Sequence, residues 1–350
     1  MPIGNWFKQR VPLPLTDTLT HLGSEPVPGH LKSWWWGLGG TAAIFFIIQV
    51  VTGILLSFYY VPDPDTAYES VKHITETVPF GWYIRSLHKW SSNGMVVAVI
   101  LHAMRVFFTG AYRKPRELNW MIGTLILIVT FVFGFTGYSL VYEQLSYWGA
   151  TVAANLTEAA PLIGPALAQF LRGGEAISGN TLTRFHVLHI GVLPTAMFAL
   201  LAVHFMLIRA HGVTEFRFKK DVPGKEKPYG FFPEHFMTEV VIGLSLLIVV
   251  TCLAVIFPAG LGDKANPLIT PEHIKPEWYF FWTFRWLKLV GLNTAVLSLG
   301  AAAGIFMFWP LIDAAIRRRK PDSEISVLLG TIAVIVLIVM TVWEALLLAH

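Results

Sequence analysis

Seven stretches of about 20 mostly apolar residues, the length needed to cross a bilayer core as a helix, run through the sequence: Ser33–Tyr60, His88–Thr109, Asn119–Leu140, Arg184–Arg209, His235–Phe257, Ala295–Ile316 and Ile325–Ala349. Inside lipid every backbone N–H and C=O must find its partner within the structure, which leaves helices and closed barrels as the only spanning forms. The expected fold class is therefore an all-α integral membrane protein with seven transmembrane helices. Charge content agrees: with 14% charged residues, a chain of 350 has too few to clothe a soluble domain. The first apolar run begins near Ser33 and is long enough to span, so it reads as a helix rather than a cleavable signal.

Basic residues cluster on one side of this threading: Lys8, Arg10 and Lys32; Arg113, Lys114 and Arg116; the 209–227 segment; and Arg317, Arg318, Arg319 and Lys320. The opposite segments carry fewer basic residues and hold ten of the 22 acids, among them Asp63, Asp65, Glu69, Glu143 and Glu277. By the positive-inside rule the amino terminus is expected in the cytoplasm. The basic side is called n below and the other side p. Clusters at span ends are explained by orientation, and no phosphate-cradling loop is found, so the expected surroundings are membrane lipid and not nucleic acid. The single Cys252 excludes a disulfide framework, a cysteine-ligated zinc and an iron–sulfur cluster within this chain. Between spans three and four, the Gly- and Pro-containing segment Val141–Thr183 suggests short helices lying on the membrane. The basic, Pro-punctuated stretch "KKDVPGKEKPYGFFPEH" reads as a boundary, dividing the chain into a four-helix unit, residues 1–218, and a three-helix unit, residues 219–350.

Ionisable side chains inside a span are costly and point to function. Of 12 histidines, five lie within spans two and four: His88, His102, His186, His189 and His204. Spans two and four run parallel, and their histidines pair level with level. His88 to His102 covers 14 residues, about 21 Å of helix, and His189 to His204 covers 15, about 22 Å. The corresponding turns, about −40° and +60° from a common face, let each pair look inward. His186 would need about 27 Å to reach the level of His204 and is set aside. Two rungs result, His88/His189 and His102/His204. Paired neutral imidazoles across a bundle are the arrangement that ligates a haem iron on both faces, and with no open position the iron serves electron transfer. Each isolated histidine has a plainer alternative, a hydrogen bond to a neighbouring helix.

Arg85 and Arg184 precede the first rung; Arg105 and Arg209 follow the second. A guanidinium at each level can pair with haem propionates, the alternative being arginines that snorkel at helix ends. Gly39 and Gly53 in the first span are 14 apart, as are Gly123 and Gly137 in the third. Glycines repeating at the histidine period let a flat macrocycle approach the backbone, although small residues also serve plain helix packing.

The stretches "FGWYIRSLHKWSSNGMVVAVILHAMRVFFTGAYRKPREL", "FGFTGYSL", "TLTRFHVLHIGVLP", "HFMLIRAHG" and "PEWYFF" resemble the cytochrome b subunit of quinol–cytochrome c oxidoreductases over nearly the whole chain. The step of 15 to His204 and the three-span carboxyl-terminal part resemble the chloroplast-type protein, with its two chains fused into one. The resemblance implies two noncovalent b-type haems, a p-side quinol oxidation site and an n-side quinone reduction site. It implies that "PEWY", Pro276 to Tyr279, marks the oxidation site, where Glu277 accepts a quinol proton. A carboxylate in a partly apolar pocket can have its pKa raised to suit that task. Tyr138 and Tyr279 are expected to wall the pocket, with interface aromatics as the alternative. At the n side Arg209 matches the quinone-reduction region, and His211 and Asp17 are candidate proton suppliers.

Two departures limit the likeness. The chloroplast type carries a cysteine before "LGG" that attaches an extra haem, whereas this chain reads "WWWGLGG" with Gly37 there, so no covalent haem is expected. After "GYSL" the family usually has Pro-Trp and an acid; here Val141, Tyr142 and Glu143 follow. An eighth span of mitochondrial type is not found. The resemblance further implies a Rieske iron–sulfur protein, a c-type cytochrome and a homodimeric complex, in a membrane expected to be a bacterial cytoplasmic one. Two other readings of the same spans are a dihaem anchor of another quinone-linked dehydrogenase and a histidine-relay transporter; the broken-span repeats usual in the latter are not seen.

Overall fold

The computed structural model describes residues 26, 27, 29, 37–214, 229–272, 274 and 276–347. Asp17 and most of the basic linker after the fourth span lie outside the described residues. The described chain is almost entirely helical. Its elements are α1 (Leu38–Ser57), α2 (Ala67–Glu76), α3 (Gly81–Phe108), α4 (Glu117–Leu140), α5 (Gln144–Glu158), α6 (Gly164–Arg172), α7 (Gly179–His211), α8 (Phe236–Ile256), α9 (Phe281–Val290), α10 (Leu292–Met307), α11 (Trp309–Arg319) and α12 (Ile325–Leu347). Two-residue strands, β1 (Pro26–Val27) and β2 (Tyr229–Gly230), pair antiparallel. Six helices are long and apolar enough to cross a membrane, and a seventh crossing results if the bent pair α10 and α11 is one span.

The sixth span is thus not the straight helix expected over Ala295–Ile316: α10 and α11 meet at 64°. Pro310 explains the break. It has no N–H to give the carbonyl four residues back, and that carbonyl, Phe306 O, accepts Trp120 Nε1 at 2.7 Å instead. The bend is pinned where Asp313, 1% exposed, receives Arg113 Nε at 2.9 Å, Arg317 Nε at 3.2 Å and the Ser326 hydroxyl. One carboxylate so joins the loop after α3, α11 and α12.

The second span starts earlier than its apolar run suggests, at Gly81, so His88 lies two turns inside α3. The segment after α4 forms α5 and α6 as anticipated for a surface layer. Between the two histidine levels the bundle is filled by Phe45, Phe46, Met95, Ala98, Val99 and Met197. Val250 of α8 joins the same core, and a Cβ on Gly94 would collide with the Phe45 ring at 2.6 Å. The fifth span therefore packs on the first and second, with Tyr83 hydroxyl 3.0 Å from Thr251 Oγ1 and Trp90 Nε1 donating to Phe257 O at 2.8 Å.

Candidate functional site

His88 of α3 and His189 of α7 meet across the bundle edge to face, with ring centroids 6.5 Å apart and an interplanar angle of 69°. Two metal–nitrogen bonds of about 2 Å each, plus about 1 Å from each nitrogen to its ring centre, ask for about 6 Å between imidazoles sharing one metal. The rung is thus spaced for a metal held between two rings. Among the described residues no group of three or more His, Cys, Asp and Glu offers a protein-only metal cage. Paired imidazoles suit an iron whose remaining ligands come from a macrocycle. At the other level His102 and His204 are close enough to interact electrostatically.

The unequal spacings, 14 and 15, are reconciled by a π-turn at Leu188–Val192, in which Leu193 N–H donates to Leu188 O. Pro194 causes it: with no N–H for Ile190 O and a ring that crowds that turn, the helix widens by one residue. One extra residue resets the phase by about 100° and brings the +60° step of α7 to about −40°, the value on α3. Both pairs then present the same face. His186, on the other side of that turn, packs on Tyr60 at 5.4 Å and takes no part in the rung.

Each of the four periodic glycines lies against one histidine. A Cβ built on Gly53 would stand 3.4 Å from His88 Cε1, and on Gly137 2.8 Å from His189 Cε1. On Gly39 it would stand 3.2 Å from His102 Cε1, and on Gly123 3.5 Å from His204 Cε1. The bare backbone of α1 and α4 is what admits an imidazole at this depth, a cradle that a methyl group would close at Gly137. Two partners were not anticipated from sequence. Thr52 Oγ1 lies 2.8 Å from His88 Nδ1, and Thr136 Oγ1 lies 2.9 Å from His189 Nδ1. Each threonine is the residue before a periodic glycine, a signal present in "TG" at 52–53 and 136–137. The donor set therefore fits a haem: a paired imidazole on each face, ring nitrogens oriented from behind, and flanking backbone without side chains.

The arginines behave unequally. Arg85 ties α3 to the loop after α8, donating from Nη1 to Ala259 O and from Nη2 to Gly260 O, both at 2.8 Å. Arg184 Nη1 donates to Asn180 O at 3.1 Å, Arg105 is buried, and Arg209 is exposed. His211 offers its carbonyl to Arg116 Nη2 at 3.2 Å. Close to Gly39 at the n level, Gly40 meets the Glu239 carboxylate, where a Cβ would lie 2.6 Å from Oε2. His235 Nε2 is 3.7 Å from Glu239 Oε1, and Tyr229 hydroxyl is 3.0 Å from His235 Nδ1. No sequence motif singled out that acid.

At the p end a second cluster forms. Glu277 is half-buried beside the 3-10 turn Trp278–Phe280. Trp278 Nε1 donates to Asn93 Oδ1 at 2.6 Å, anchoring the turn to α3 one helical turn beyond His88. Tyr279 is buried with its hydroxyl against Gly134 of α4, where a Cβ would lie 2.5 Å away. Tyr138 packs on Gly149, its ring 3.2 Å from the position of a Cβ there. Burial pushes the Glu277 carboxyl above the ordinary carboxylate range; exposed Lys89 opposes the shift and Glu143 adds to it. Burial, then Glu277, pushes the Tyr279 phenol up, so it stays a hydrogen-bond donor. After Val141, which stands in the place of the missing proline, Tyr142 makes the corner with φ 55°. Glu143 then accepts Gly262 N–H at 2.7 Å, strapping α5 to the loop after α8.

Residues 22–212 match the family described as Cytochrome b/b6/petB, and residues 264–348 match Cytochrome b(C-terminal)/b6/petD. The cytochrome b subunit of a cytochrome bc complex from Chlorobaculum thiosulfatiphilum is 37% identical over 97% of this chain and 80% of that protein. Cytochrome b6 from Heliobacterium modesticaldum is 42% identical over 60% of this chain and 99% of its own length. A solved chain of a hyperthermophilic respiratory complex III superposes with a TM-score of 0.74 at 24% identity, covering 97% of this chain and 96% of that one. That likeness is one of fold.

Proposed function

The chain belongs to the cytochrome b/b6 family, with the amino- and carboxyl-terminal cytochrome b regions in one polypeptide, and on that premise we propose that it is the membrane electron-transfer subunit of a quinol–cytochrome c oxidoreductase. His88 with His189 and His102 with His204 would each hold a b-type haem, which supplies a one-electron relay between the two membrane sides. The fold so used is a four-helix haem-binding bundle with a three-helix unit against it.

This chain's own residues do the positioning and the proton work. Gly39, Gly53, Gly123 and Gly137 keep the backbone of α1 and α4 clear of the rings. Arg85, Arg184, Arg105 and Arg209 sit at the ends of the two levels to meet propionates. Oxidising a quinol releases two protons and two electrons. Glu277 accepts one proton at its carboxylate, in a site whose burial keeps the carboxyl's affinity for it high. Tyr279 and Tyr138 wall that site, the former with a protonated hydroxyl. One electron passes to the n side and is taken up there by a quinone; the other leaves to an acceptor outside the chain, a Rieske iron–sulfur protein and then a c-type cytochrome. Separate sites on the two sides convert this traffic into a proton gradient. The complex is a homodimer in a bacterial cytoplasmic membrane with the amino terminus inside, and Gly37 carries no covalent haem.

The observation that carries this reading is the 6.5 Å rung of His88 and His189 with a glycine against each ring. The half-buried Glu277, with its carboxyl pKa raised beside the Tyr279 turn, favours quinol oxidation over a plain dihaem anchor. The test is haem stoichiometry on the purified complex: two noncovalent b haems per chain, and one after His189→Ala or His102→Ala. Full haem retention in those variants rules the reading out.

A further inference from the structure

The two histidine levels differ in what stands behind the rings. Thr52 Oγ1 donates its one proton to Ile48 O at 2.6 Å, and Thr136 Oγ1 donates its proton to Val132 O at 2.8 Å. Each hydroxyl therefore has only lone pairs left for the imidazole. With the hydroxyl protons so used, it is a proton on Nδ1 of His88 and of His189 that completes these contacts, at 2.8 and 2.9 Å. That tautomer leaves Nε2 of both rings free for a metal. At the n level the residues before the matching glycines are Leu38 and Ile122, which have no acceptor. There His102 Nδ1 and His204 Nδ1 are buried without a hydrogen bond of good geometry, though His204 leans toward the Asn119 backbone carbonyl.

We infer that Thr52 and Thr136 are potential-setting residues: by accepting the Nδ1 protons of His88 and His189 they lower the reduction potential of the p-level haem. This rests on the two-haem function proposed above. An Nδ1–H held by an oxygen acceptor makes imidazole a more basic ligand, which favours ferric over ferrous iron. Two such ligands act on the p level and none of comparable geometry on the n level. A lowered p-level potential favours transfer of one electron from p to n without any bond made or proton moved. The device is written into the sequence at one position per level, Thr against Leu in α1 and Thr against Ile in α4.

Redox titration of the complex in membranes, following each haem's spectrum, tests this. The p-level signal is identified as the one lost in His189→Ala. In Thr52→Val with Thr136→Val, which keep shape and remove the acceptors, two haems should remain. The p-level reduction constant should rise at least tenfold, 59 mV for a one-electron couple, with the n level unmoved. Thr52→Ser with Thr136→Ser should restore the original value. The gain variant Ile122→Thr should lower the n-level potential. Unchanged potentials in the valine variants, equal shifts at both levels, or serine variants that behave like valine would overturn the assignment. Should the valine variants lose the p-level haem, Ile122→Thr decides: a fall at the n level upholds the role, and no change refutes it. An unmodified complex without two haems would refute the function instead.

Discussion

Substituting Gly137 by alanine should empty the p level while the same change at Gly53 is tolerated, although both glycines flank one rung. A methyl carbon at 137 would lie 2.8 Å from His189 Cε1 and 3.3 Å from Nε2, whereas at 53 the only near atom is His88 Cε1 at 3.4 Å. Non-bonded carbon atoms rest at about 3.5–4.0 Å, so the His189 ring must retreat by about 0.7 Å or more. It cannot do so freely, because Thr136 holds Nδ1 at 2.9 Å and the π-turn fixes the backbone. Metal–nitrogen bonds tolerate about 0.2 Å, so the displacement exceeds the tolerance severalfold, on top of about 1–3 kcal/mol of overpacking. At Gly53 the adjustment is about 0.1 Å, within that tolerance. The assay is haem per protein and the reduced-minus-oxidised spectrum of the purified complex. Gly137→Ala should retain the n-level haem alone, and Gly53→Ala both. If the alanine at 53 proves the more damaging, or both variants keep two haems with unshifted spectra, the reasoning from ring clearance fails.

Other outcomes follow from named contacts. Glu277→Gln should slow quinol oxidation by about a hundredfold or more, the usual worth of a placed base. Because burial raises the Glu277 pKa, wild-type turnover should climb with pH until the carboxyl is ionised, a limb that the glutamine variant lacks. Steady-state rates across pH check both. Asp313→Asn should lower the thermal midpoint of the complex, costing about 2 kcal/mol. That is less than the roughly 3–5 kcal/mol of a fully buried pair, since its partners Arg113 and Arg317 are 41% and 25% exposed. Arg85→Lys forfeits the two-pronged grip on Ala259 O and Gly260 O and should speed amide hydrogen exchange in residues 259–262, readable by mass spectrometry.

Length and apolarity are local properties, and so the sequence by itself determined that the chain crosses lipid as helices and that histidines recur at two depths on parallel spans. The glycine period was legible for the same reason, whereas the role expected of PEWY came from a family resemblance. Which glycine meets which ring was not legible, because that depends on how α1 and α4 rotate against α3 and α7. Tertiary structure alone decided that Pro194 opens a π-turn and brings His189 and His204 into phase, that Pro310 breaks the sixth span, and that Thr52 and Thr136 stand behind one pair of histidines only. One residue more or less turns a helix by about 100°. Facing across a bundle is therefore settled by packing between helices, which spacing along one of them cannot report.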